Sequence, residues 1–233
     1  MKEKTLNIIK FIISIGMFFF LSNLISGILR RLGIDINIFD YTDYGYLDTL
    51  VELIFALIVY ILYRKYFNKD YNEFENNFKN NINDIFKFFA IFFVLKIISS
   101  VVTSIIGYIF DMNILESENQ NIIVKITEKT PILMLISTVI LAPIVEEGIF
   151  RLGLRKIIKN DYLFILISGL VFGFMHIFPT DLSMSIALTY SITYVTMGFY
   201  LAYIYVEKDN IWINILIHSL NNLISMIAIL MFY

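Results

Sequence analysis

Cysteine is absent from all 233 residues, which excludes a disulfide framework and any thiolate metal site. Charge is scarce too. Asp, Glu, Lys and Arg make up 16% of the chain, against about a quarter in soluble domains. The net charge of −2 supplies no basic field for nucleic acid. No repeat, low-complexity tail or second domain is visible, and no small-x-small cleavage site follows the first apolar stretch, which therefore reads as a span rather than a signal peptide.

What remains is apolar. Hydrophobic residues make up 58% of the chain and the mean hydropathy is +0.76. They come in runs of roughly twenty, long enough to cross about 30 Å of hydrocarbon. The expected fold is an all-α, polytopic transmembrane helix bundle in a cell membrane, with about seven spans, or eight. The spans fall near 5–28, 47–67, 85–110, 131–158, 162–178, 183–206 and 211–232. Residues 68–84, rich in Asn, read as a solvated connection. This divides the chain into an N-terminal region of three spans (1–130) and a core of four spans (131–233). Heavy use of Ile, Asn, Lys, Phe and Tyr suits an AT-rich bacterial genome. With the N-terminus in the cytoplasm, eleven Lys and Arg fall on the inner side and four on the outer, the bias of the positive-inside rule.

Ionisable groups at membrane depth are expensive and tend to be paired and functional. Three clusters stand out. In Glu146-Glu147-Gly148-Ile149-Phe150-Arg151, the apolar run before the acids is only 15 residues (Pro131 to Val145), about 22 Å of helix, so the glutamates fall inside the slab. Glu147 and Arg151, four apart, share a face and can neutralise each other. Glu146 points about 100° away and is a candidate general base. The second cluster is Phe172 to His176 in span five, where Gly169 and Gly173 allow close helix contact. Taken alone, its histidine reads more readily as a hydrogen-bonded core residue than as chemistry. The third, His218 and Asn222 in span seven, shares a face and can donate hydrogen bonds to an oxyanion or simply join helices. Counted from the turns at Asn160–Asp161 and Asp209, Glu146, His176, His218 and Asn222 lie within about a turn and a half of one height. A stripe of Ser185, Thr189, Thr193, Thr196, Tyr200 and Tyr203 in span six suits a wet cleft or ordinary packing. Lys10 is expected to snorkel, and Lys96 has no evident partner.

In this order and on separate spans, Glu-Glu-x-x-x-Arg, Phe-x-x-x-His and His-x-x-x-Asn resemble the CPBP family, which contains the type II CAAX prenyl endopeptidases and the bacterial Abi and bacteriocin-processing proteins. The resemblance covers about 130–225. It implies an intramembrane endopeptidase (a CAAX-type hydrolase) in which Glu146 and His176 activate a water. His218 and Asn222 would form the oxyanion hole, with Glu147, Arg151 and Phe172 in support. No cofactor is expected; in the zinc alternative, Glu146, His176 and His218 would be the ligands. The implied partners are membrane lipid and a peptide or protein substrate, lipidated or a bacteriocin or pheromone precursor. The rival readings are a non-catalytic immunity or binding protein and a proton-coupled carrier, although the inverted repeat common in carriers is not evident.

Overall fold

The computed structural model describes residues 3–34, 36, 37, 39–110, 112, 118–177 and 183–232, with only the backbone of 118–121. Among these, the chain is helical and no strand occurs. The helices are α1 (Glu3–Arg31), α2 (Tyr41–Asn76), α3 (Phe78–Ile109), α4 (Glu118–Lys129), α5 (Pro131–Gly153), α6 (Asp161–Met175), α7 (Met184–Lys208) and α8 (Ile211–Phe232). Five of them, α1, α2, α3, α5 and α8, are long and apolar enough to cross a membrane. The fold is an all-α membrane bundle. With 15 residues, α6 is apolar but short, and the hydroxyl-rich α7 falls outside the set of five.

Two boundaries differ from expectation. The stretch 68–84 is helix rather than loop, broken only at Asn77, because α2 and α3 continue past their apolar segments. The polar extension of α2 has a structural task. Asp70 accepts a hydrogen bond from the Ile211 backbone N–H (3.0 Å), and its carbonyl accepts from Asn210 Nδ2 (2.8 Å). It thereby satisfies donors at the start of α8 that no intrahelical carbonyl can reach. Helix α4 was not anticipated; its Val124 and Ile126 pack with Met134 of α5 and Met226 and Ile229 of α8. Lys10 does not snorkel outward but donates to the Leu62 carbonyl at 2.6 Å.

Helix α5 is not a regular helix. Pro143 has no N–H to bond Val139, and the ladder slips: the Ala142 N–H reaches back five residues to Ser137 instead of four. A second π-helical turn, Gly148–Gly153, repeats the slip, with the Leu154 N–H on Ile149. Each slip leaves a carbonyl without its usual partner, and each carbonyl is met by a side chain from a neighbouring helix. Asn222 Nδ2 of α8 donates to Thr138 O (2.8 Å), and Ser168 Oγ of α6 donates to Phe150 O (2.8 Å). Such π-bulges cluster at functional sites. The two glutamates lie between them.

Helices α6 and α7 meet at glycine. A Cβ on Gly173 would fall 2.7 Å from the Val195 backbone nitrogen, and one on Gly198 would fall 2.8 Å from the Gly169 carbonyl oxygen. No side chain fits at either contact. This close approach brings α7 against the end of α6, where His176 sits.

Candidate active site

Glu147 and Arg151 are wholly buried. Arg151 Nε lies 3.1 Å from Glu147 Oε2, and the guanidinium also rests on the Phe172 ring, 4.5 Å from its centroid. Glu147 Oε2 accepts from Asn214 Nδ2 (3.2 Å). Its other oxygen lies 2.9 Å from His218 Nδ1, so with Glu147 ionised the ring N–H is the donor. Both carboxylate oxygens are thus occupied, as a buried charge requires.

Glu146, one residue earlier, faces a cavity of about 690 Å³ that His176, His218 and Asn222 also line. Its Oε2 is buried and makes no hydrogen bond. The Nε2 atoms of His176 and His218 stand 3.6 and 3.8 Å from that oxygen. These distances exceed a direct hydrogen bond and suit a water shared between the groups.

His176 is held firmly. It does not lie within a helix, as expected, but caps α6, which ends at Met175. Residue 178, assigned to the same span, lies outside the described residues. The Phe172 carbonyl belongs to the last turn and has no intrahelical donor; His176 Nδ1–H donates to it at 2.8 Å. Because a carbonyl only accepts, the tautomer is settled, and in the neutral ring Nε2 carries the lone pair toward Glu146. The ring is packed between Phe172 and Tyr194, with centroids at 4.4 and 4.8 Å. Phe172 also touches His218, at 5.8 Å.

Asn222 lines the same cavity, with its amide nitrogen on Thr138 O and its Oδ1 accepting from Asn221 Nδ2 (3.0 Å). One amide hydrogen remains for another acceptor. For His218 to donate from Nε2 while Nδ1–H serves Glu147, the ring must carry both protons. Among the described residues, no group of three or more His, Asp or Glu is arranged to hold a metal ion.

Several cavity residues were not singled out by sequence pattern. Asp48 and Glu52 of α2 line the cavity, with Ser137 Oγ donating to Asp48 at 2.8 Å. Two carboxylates four apart within span 47–67 are the same signal that flagged Glu147 and Arg151. Asn214 stands four residues before His218, so helical spacing alone could have placed it on that face. Of the hydroxyl stripe on α7, Thr193 lines the cavity, while Thr189 bonds back to Ser185 O.

Residues 128–224 match the family model described as Rce1-like, type II CAAX prenyl endopeptidase. Over those residues the chain is similar to the Rce1-like family. Over 122 residues the chain is 33% identical to a Bacillus subtilis protein named "Putative membrane peptidase YdiL", covering 49% of this chain and 44% of that protein. Over 128 residues it is 34% identical to an uncharacterised protein of Mycoplasma capricolum, covering 51% and 36%. The chain thus spans less than half the length of either curated relative. No solved structure gives a significant match.

Proposed function

We propose that this protein hydrolyses a peptide bond of a membrane-associated peptide or protein, with Glu146 as general base. The observation that carries the reading is the unpartnered Glu146 Oε2, buried and facing two histidine Nε2 atoms across a cavity. A water between Glu146 and His176 gives a proton to the carboxylate as its oxygen attacks the substrate carbonyl carbon. The carbonyl π pair moves to oxygen. His218 Nε2–H and the free Asn222 N–H stabilise that charge; such donors contribute about 10²–10³ in rate. Collapse breaks the C–N bond, and Glu146 returns its proton to the leaving amine. Water is consumed, and one acid and one amine are formed.

Glu147 and Arg151 do not take part in this chemistry. They hold His218 by Nδ1 and leave its Nε2 facing the cavity, while Phe172 packs the two histidines and the guanidinium into one cluster. On this reading the hydrolysis needs no metal, and the substrate arrives within the bilayer as a lipidated tail or a secreted-peptide precursor. The N-terminus lies in the cytoplasm.

The test uses purified protein in liposomes with a library of membrane-anchored peptides. Wild-type protein should cleave, Glu146→Gln and His176→Ala should not, and cleavage should survive exhaustive treatment with a membrane-permeant chelator. Loss on chelation with restoration by stoichiometric zinc would make His218 a ligand instead. Undiminished cleavage by Glu146→Gln would end the general-base reading.

A further inference from the structure

Lys96, deep in α3, is a cation far from either end of its helix, and its contacts are specific. Its Nζ donates to Asn221 Oδ1 (2.8 Å) and to Ser225 Oγ (3.1 Å), both on α8. The chain of bonds continues from there. Asn221 Nδ2 donates to Asn222 Oδ1 (3.0 Å), and Asn222 Nδ2 donates to Thr138 O (2.8 Å). All of these side chains line the cavity.

The direction of this chain is fixed at both ends by chemistry. An ammonium only donates and a carbonyl only accepts. Each amide between them must therefore take its hydrogen bond at oxygen and give one at nitrogen. Neither asparagine can flip without setting two donors or two acceptors face to face. The final acceptor, Thr138 O, is available because Ala142 bonds to Ser137 in the π-helical turn. Head-to-tail hydrogen bonds polarise one another, and the effect is strongest in a low-dielectric interior. A positive charge at the oxygen end draws electron density from the Asn222 nitrogen and makes its remaining N–H a better donor.

We propose that Lys96 is a positioning residue for Asn222: it fixes the orientation of the Asn222 amide and strengthens its free N–H through Asn221. The inference rests on the hydrolytic reading for its consequence, that this N–H faces the developing oxyanion, but the coupling of Lys96 to Asn222 stands independently. It assigns work to Lys96 and Thr138, outside the Glu-Glu, His and His-x-x-x-Asn motifs, and to Asn221, at an x position of the last.

A double-mutant cycle decides it. Lys96→Met, Asn222→Ala and the double variant are compared with wild type in liposomes, by cleavage of a membrane-anchored peptide and by thermal unfolding. Lys96→Met should lower kcat by about tenfold to a hundredfold, less than the about 10²–10³ lost when an oxyanion donor is removed outright, with KM nearly unchanged. In the Asn222→Ala background the same substitution should cost less than about twofold, since interacting residues are non-additive. Lys96→Arg, which keeps the charge and the donors, should recover most of the rate. Multiplicative losses in the double variant, or a raised KM at unchanged kcat, would overturn the relay and leave Lys96 as packing or as a substrate contact. The melting temperatures supply a second readout that needs no catalysis: the shifts should be non-additive, and additive shifts overturn the proposal. Glu146→Gln separates the two ideas. If it still cleaves, the general-base reading fails, while the melting cycle still judges the relay.

Discussion

From Glu147 to Glu146 the chain turns by one residue, about 100° around the helix, and the surroundings change in kind. Glu147 has a guanidinium, an imidazole and an amide on its two oxygens and is fully buried. Glu146 has an oxygen with no hydrogen bond and two imidazole nitrogens just beyond reach. Partners that saturate a carboxylate stabilise the fold and silence the group. A carboxylate left under-bonded in a cavity costs stability but keeps its lone pairs for a water. One helix thus supports a structural acid and a chemical one side by side, because its two π-helical turns tie it separately to α8 and α6.

The largest expected effect breaks this contrast on the chemical side. Glu146→Gln should lower cleavage by about 10²–10⁴-fold, the usual contribution of a general base, while leaving the melting temperature close to wild type. On the structural side, Arg151→Ala strands Glu147 without its cation. It should destabilise the fold by about 3–5 kcal/mol, as when one partner of a buried pair is removed, read as a lower melting temperature or a loss of folded protein. Equal stability with lost cleavage would move Arg151 into the chemistry. A smaller effect calibrates packing apart from charge. Gly173→Ala forces a methyl against the Val195 backbone and should cost about 1–3 kcal/mol, typical of overpacking. Because it moves His176 relative to Glu146, cleavage should fall as well.

The smallest effect comes from a third carboxylate, exposed and outside the spans. Asp40 caps α2, accepting from the Thr42 and Asp43 N–H groups at 2.8 and 3.3 Å. Those backbone bonds hold its carboxyl below the ordinary 3.8. A depressed folded value means stability that is present above the unfolded value and lost as pH falls through the folded one. Asp40→Ala should therefore lower the melting temperature slightly at neutral pH and not at all in strong acid. A melting temperature indifferent to Asp40→Ala at neutral pH would mean that the cap contributes nothing to stability.

Helical period carried much of this into the sequence. The Glu147–Arg151 pair is an i, i+4 spacing on one strongly apolar span, and its members meet at 3.1 Å. Matched depth from two turns placed Glu146 near His176 because rise per residue converts directly to height. Period says nothing about which side chain crosses to another helix, so Lys96 lacked its Asn221 partner and Asp48 and Glu52 went unread. Pro143 inside a helical run, followed by Gly148 and Gly153, was the available sign of the slipped ladder, but the carbonyls it frees find suitable donors only in three dimensions. The polar tail of α2 looked like a loop because its asparagines are solvated; the Asp70 contact that orders it lies 141 residues away in sequence.

The most direct measurement sets the two glutamates against each other. Glu146→Gln and Glu147→Gln are prepared in the same liposomes, and each is followed by peptide cleavage and by thermal unfolding. Glu146→Gln should melt with wild type and cleave about 10²–10⁴-fold more slowly, while Glu147→Gln should melt well below both. A Glu146→Gln protein that cleaves at the wild-type rate, or a Glu147→Gln protein that melts with wild type, would contradict the division of labour between them.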